Sequence, residues 1–336
     1  MFIIENGLTR GNGSEGKTKS HYNNIIIMYY PYLRGKQFEL IALREFSQEN
    51  PTPTHVCPII EPVKASINSL KTAINTMIGK DMQFALVLNP HDGDFRRISI
   101  DLYSQLEELV ANPSKWIPAF IYKNNLSEIK NTILHHNLSG VMIVFSSNID
   151  TSDVELMDFL STENVEYIVA EFSKSARRKI SHFGKLLIRL DDKFPEKSRN
   201  ADYLDIPEES FSDEYSFYME EGYAGFSDYT TLPSTFKESG MLPYAIAIHM
   251  TYRKNEEEIF VRHFVSDTND DTSNIQRKFF EAANKLSVFY LTKARPTPAC
   301  EEIIRMLGEG RYPGLGILKK LSIKNHLQLI EQILSE

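Results

Sequence analysis

The chain has 336 residues, with 42% hydrophobic and 24% charged residues and 37 Lys and Arg against 45 Asp and Glu, a net charge of −8. That composition describes a folded globular chain and excludes a disordered, collagen-like or coiled-coil one. It advertises no broad basic face for nucleic acid. Two cysteines are too few for a disulfide framework and point to a reducing, cytoplasmic setting, and no apolar run reaches the roughly 18 residues that cross a membrane.

Residues 1–27 are rich in Gly, Ser and Asn without a period, and are expected to form a flexible N-terminal extension. From Met28 onward, short apolar runs alternate with amphipathic stretches. The runs are Met28–Leu33, Val56–Ile60, Gln83–Leu88, Trp116–Tyr122, Gly140–Phe145, Glu166–Ala170, Lys185–Leu190 and Tyr223–Phe226. Between them lie candidate helices at Phe38–Phe46, Ala65–Ile78, Ser99–Val110, Leu126–His135, Ser152–Leu160 and Lys174–Phe183. Most runs are apolar throughout, as strands of a parallel sheet covered on both faces should be. Residues 28–240 therefore read as a βα-repeat (β/α)8 TIM-barrel-like unit, with a doubly wound open sheet as the alternative. Residues 241–336 change pattern: Tyr244–Tyr252 and Ile259–Val265 flank a polar turn and predict a β-hairpin. Helices at about 277–292, 298–307 and 322–335 follow, the last capped by Ser322, and complete or cap the same domain.

In such a fold, chemistry gathers where strands end, because the βα loops share the carboxyl face of the sheet. The candidates there are Arg34, Lys36 and Tyr229 with Lys123 as ligand contacts, and Glu61, Lys64 and Asp228 as catalytic groups. Glu61, Asp191 and Asp228 offer hard oxygen ligands to Mg²⁺ or Mn²⁺, while Arg and Lys neutralise a phosphate. Glu61, Lys64 and Asp228 are expected in one pocket. His249 and His263 fall on the two hairpin strands, where a three-residue turn sets them opposite each other, able to share a proton or a metal. His135 and His136 are adjacent on a helix and are expected to point apart. The segment NPHDGD, Asn89–Asp94, lacks calcium-loop spacing and also reads as a capped turn. No Gly-rich phosphate loop and no GxSxG motif is present.

Residues 201–221 hold eight acidic residues and no Lys or Arg, and read either as a solvated loop between the seventh and eighth strands or as a docking segment. A basic partner, or the tail around Lys319, Lys320 and Lys324 of a second copy, would complement the latter.

The segments MYYPYLRGKQFELIALRE (28–45), CPIIEPVK (57–64), GYAGFSDYTT (222–231), YAIAIHMTY (244–252), VRHFVSD (261–267) and YPGLGILKKLSIKNH (312–326) resemble a bacterial family of uncharacterised proteins. That family is similar in turn to the phage and bacterial "beta protein" family. The resemblance implies a cytoplasmic component of a phage-defence or mobile-element system, with a protein partner such as an operon-encoded nuclease or a homo-oligomer. It directs attention to Arg34, Lys36, Glu39, Glu61, Lys64, Asp228, Tyr229, His249, His263 and Asp267. Two functions follow as expectations. One is a binding or regulatory barrel with a ligand pocket at the strand ends. The other is a metal-dependent phosphodiesterase or nuclease-like enzyme acting on nucleotides or nucleic acid.

Overall fold

A computed structural model of the chain describes residues 28–50, 54–238 and 242–336. The expected extension at residues 1–27 lies outside the described residues. Eight parallel strands form one sheet in sequence order: β1 (Tyr32–Leu33), β2 (Ile59–Ile60), β3 (Phe84–Val87), β4 (Trp116–Tyr122), β5 (Val141–Phe145), β6 (Val165–Ala170), β7 (Leu186–Asp191) and β9 (Gly225–Asp228). A parallel bridge from Tyr29 to Phe226 joins the last strand to the first, so the sheet curls into a barrel and the open-sheet alternative is set aside. That seam depends on a missing side chain. A Cβ on Gly225 would lie 2.7 Å from the Met28 carbonyl oxygen and 2.8 Å from the Tyr30 ring.

Alternation along each strand sorts the side chains into two layers. Tyr30, Cys57, Ile59, Val87, Ala119, Met142, Val144, Val169, Ile188 and Leu190 fill the barrel interior. Tyr29, Leu33, Ile60, Leu86, Phe120, Ile143, Ile168 and Phe226 face outward to the helices. Both layers are buried, which is why the strands read as continuous apolar runs. The outer helices are α1 (Gln37–Glu49), α2 (Asn68–Gly79), α3 (Leu102–Leu106), α4 (Leu126–His135), α5 (Val154–Ser161) and α6 (Lys174–Ile180). Asp153 and Ser173 cap α5 and α6 by accepting the Leu156 and Ala176 N–H groups. The third helix is much shorter than the expected Ser99–Val110: Asp101 caps it by accepting the Ser104 N–H, which sets its start at Leu102, and the chain after Leu106 forms a turn.

A second, antiparallel sheet in the order β10–β11–β8 is built from β8 (Glu208–Ser212), β10 (Ala247–Arg253) and β11 (Ile259–Val265). The predicted hairpin is β10 and β11, with His249 opposite His263. The acidic segment is not one solvated loop: it supplies β8 and the short α7 (Glu214–Phe217). Helices α8 (Ile275–Thr292) and α9 (Pro298–Gly308) pack with Ile248, Met250 and Phe264 of this sheet in a separate apolar cluster. The last helix, α10 (Leu315–Leu334), runs between the barrel and the second sheet, touching α1 and β10. It begins seven residues before the expected start, so Ser322 is internal to it and caps nothing. Asn325 shows how α10 is held: its Nδ2 donates to the Thr251 carbonyl (2.9 Å) and its Oδ1 accepts from Thr297 Oγ1 (2.8 Å).

Candidate functional site at the carboxyl end of the barrel

Tyr32, at the inner face of β1, points its ring toward the mouth and donates its hydroxyl to Glu61 Oε2 (2.7 Å). Glu61 follows β2 and also accepts the His91 N–H (3.1 Å). Arg34 lies between two aromatic rings, its guanidinium carbon 5.1 Å from the Tyr32 centroid and 5.3 Å from that of Tyr229, so quadrupole and charge hold it in place. Its Nε stands 3.4 Å from Glu61 and 3.3 Å from Asp92. Burial, then the Asp192 and Glu61 carboxylates, against the lowering effect of Arg34, leave the Tyr229 hydroxyl pushed up to about 12. Arg34, Glu61 and Tyr229 are thus brought together.

Asp228 is not with them. One position along β9 from Tyr229, it faces the outer layer, where Oδ1 accepts from Tyr29 Oη and from the Thr230 N–H (both 2.7 Å) and Oδ2 stands 3.3 Å from His326 Nε2. Burial would raise this carboxyl, but His326, Tyr29 and the Thr230 N–H outweigh it and hold it below its ordinary value. Asp191 likewise faces outward, 2.8 Å from Arg189 Nε and 3.5 Å from Lys193 Nζ. The expected pocket of Glu61, Lys64 and Asp228 and the expected metal trio of Glu61, Asp191 and Asp228 therefore do not form, because strand alternation sends the carboxylates to opposite layers. Among the described residues no group of three His, Cys, Asp or Glu is arranged to hold a metal ion.

Lys36 and Lys64 meet elsewhere, in a cleft of about 460 Å³ between the loops after β1 and β2. The first turns of α1 and α2 line it, and neither helix has a side-chain cap, so backbone N–H groups at both N-termini remain unclaimed by their own caps. Lys319 of α10 completes the wall. Burial lowers the Lys36 ammonium, and the Lys319, Arg34 and Lys64 charges lower it further against the raising effect of Glu39. The Glu39 carboxyl in the floor is raised by burial despite Lys319 and Lys36, and accepts the Arg34 N–H (2.6 Å). Lys64 pairs with Asp94 (3.3 Å) and Glu238 (3.8 Å), whereas among the described residues no ion pair reaches Lys36 or Lys319. A strap, Pro233–Glu238, lies over this region: Ser234 and Lys237 carbonyls accept from Arg34 and Lys36, and Phe236 sits 4.5 Å from Lys36 Nζ.

NPHDGD is a set of loop ties. Asn89 makes two 2.9 Å bonds to the Ile121 backbone, Asp92 holds Arg34 and Arg96, and Asp94 accepts the Ala65 N–H (2.9 Å). Lys123 is exposed on the far rim, where burial and then this ammonium lower the His91 imidazole. His91 also lines a groove of about 670 Å³ with His135 and His136, whose rings are 4.6 Å apart rather than turned away from each other. His249 and His263 belong to the second sheet, Nδ1 to Nδ1 at 2.7 Å.

The charge-docking reading meets internal pairing. Glu208 binds Lys254 and Arg262, Glu209 lies near Lys197, and buried Glu214 faces Lys193 and Arg189. Lys320 and Lys324 are buried against Glu45, Glu49 and Glu302, leaving Lys319 exposed. No long-range signal in the sequence tied Lys319 to the first βα loop. No family model matches the chain, and no curated protein is similar to it, so the family resemblance rests on its motifs alone.

Proposed function

We propose that the chain is a binding or regulatory barrel protein whose cleft at the strand ends takes an anionic, phosphate-like group. The observation that carries this is a cluster of cations only partly offset: Lys36 and Lys319, which form no ion pair among the described residues, share the cleft with Lys64, itself paired with Asp94 and Glu238, and with two helix N-termini that lack side-chain caps, above the buried Glu39 carboxyl. Backbone N–H groups at helix N-termini and lysine ammoniums are the groups with which proteins bind phosphate. Arg34, fixed between two tyrosines, adds a neighbouring charge. No helix among the described residues is long and apolar enough to cross a membrane. A place in a defence or mobile-element system, and a protein partner there, are supported by the motif resemblance only.

Titration calorimetry with inorganic pyrophosphate tests the reading. Saturable binding that weakens about tenfold in Lys36→Met and falls with added salt is expected. Heats that are absent, or unchanged in Lys36→Met, would overturn it.

A further inference from the structure

A separate cavity of about 270 Å³ opens between the turn after β9, the second sheet and α10. His249, Thr231, Lys319, Ser322, Tyr203 and Phe194 are among its lining residues. Its chemistry follows from a chain of hydrogen bonds. Glu209 Oε2 stands 3.4 Å from His263 Nε2, and a carboxylate only accepts, so that nitrogen carries the proton. Neutral His263 then presents a bare Nδ1, which accepts from His249 Nδ1–H at 2.7 Å. His249 is left with a bare Nε2, an obligate acceptor, and among the described residues nothing donates to it. Both imidazoles stay neutral at ordinary pH: burial and the neighbouring His263 lower His249 to about 3, and burial lowers His263 to about 4 against the raising effect of Glu209.

Two further features aim at the same space. Thr231 is 4% exposed and lines the cavity, yet among the described residues its Oγ1 has no hydrogen-bond partner. The residue before it, Thr230, is fully buried with φ of 55°, a left-handed conformation that a β-branched side chain disfavours, and the Asp228 carboxylate holds its N–H there. The buried Asp228 constellation thus positions Thr231. The other charged groups at the wall are committed, Lys197 to Glu209 and Glu196 to Lys237, which leaves Lys319 as the cation facing a ligand.

We propose that this cavity is a second ligand site, taking a small hydroxylated anion that donates a hydroxyl proton to His249 Nε2, bonds Thr231 Oγ1 and rests its charge on Lys319. At about 270 Å³ the cavity is slightly smaller than ordinary ligand pockets, which run from about 300 Å³ upward, so the ligand has few heavy atoms. Glycerol 3-phosphate and methyl phosphate at pH 8 are suitable probes, since at that pH only the former offers a hydroxyl donor. Calorimetry on the full chain should show glycerol 3-phosphate binding about tenfold more tightly, the worth of one buried hydrogen bond. The preference should persist in Lys36→Met, which weakens the other cleft, and vanish in His249→Leu while pyrophosphate binding remains. Equal affinity for the two probes, or a preference that survives His249→Leu, would overturn the proposal. Should His249→Leu not fold, Thr231→Val must reduce the preference, and ¹⁵N spectra of the unmodified chain must show His249 protonated on Nδ1. A proton on Nε2 would overturn the proposal without any variant.

Discussion

The first strand region carries two tyrosines three residues apart, and each donates its hydroxyl to a carboxylate at 2.7 Å: Tyr29 to Asp228 and Tyr32 to Glu61. The surroundings separate them. Tyr29 and Asp228 lie in the outer layer with His326 and the Thr230 N–H, every partner buried, and His326 continues to Thr251 of the second sheet (3.0 Å). Tyr32 and Glu61 lie at the barrel mouth with Arg34, which retains Asp92 as a second carboxylate and reaches a strap of surface chain. The outer pair locks barrel, α10 and second sheet together, while the inner pair steadies a cation at a rim. Composition alone cannot tell such groups apart; the direction in which the strand presents them can.

This contrast predicts unequal costs. Asp228→Ala strands the Tyr29 hydroxyl, the Thr230 N–H and His326 in a dry layer, and should lose about 3 to 5 kcal/mol in urea unfolding. Glu61→Gln keeps a hydrogen-bond acceptor for Tyr32 and leaves Arg34 with Asp92, so a loss of about 1 kcal/mol is expected. Equal losses would break the contrast. Next in size is Gly225→Ala, which drives a methyl into the Met28 carbonyl and the Tyr30 ring at the seam and should cost about 2 kcal/mol by the same assay. An unaltered midpoint would mean that the barrel does not close there.

Acid should weaken the second sheet before the barrel. The histidine pair is held neutral in the fold, while the unfolded chain protonates near the ordinary value of about 6.5. Below that pH the unfolded state binds more protons, so stability falls as pH drops toward about 4 and levels off above about 6.5. Each histidine that the unfolded chain protonates while the fold keeps it neutral should contribute a slope of up to about 1.4 kcal/mol per pH unit, so about 3 at most for the pair. Denaturation midpoints between pH 4 and 7 measure it, and His249→Leu should flatten the curve. A slope that persists in that variant places the titration elsewhere. Smallest in stability is Lys36→Met, expected within about 0.5 kcal/mol of the parent, since this half-buried ammonium forms no ion pair among the described residues and Met keeps the apolar stem.

The eight strand positions were legible because strands covered on both faces are apolar throughout, and the hairpin was legible from alternation around Arg253–Glu258. The clustering of Arg34 with Glu61 and Tyr229 was half legible. Residues past strand ends could be named, but which face each takes depends on parity counted from the barrel interior, and Asp191 and Asp228 lie one step off it. Asp192, one residue later, does reach the mouth, where it accepts from Ser234 of the strap. The contributions of Lys319 and Thr231 were hidden for another reason: α10 reaches the first βα loop across more than 270 residues of chain, and Thr230 adopts a backbone conformation that no local pattern announces. Lys320 and Lys324 looked like a basic tail because their partners, Glu45 and Glu49, sit on α1.

The claim that most needs testing is the crowding of cations in the cleft. The titration of the Lys36 ammonium, followed by NMR with and without inorganic pyrophosphate, reads it directly. A midpoint below the ordinary lysine value that rises when pyrophosphate is added is the predicted result. An ordinary midpoint that pyrophosphate leaves unmoved would contradict it.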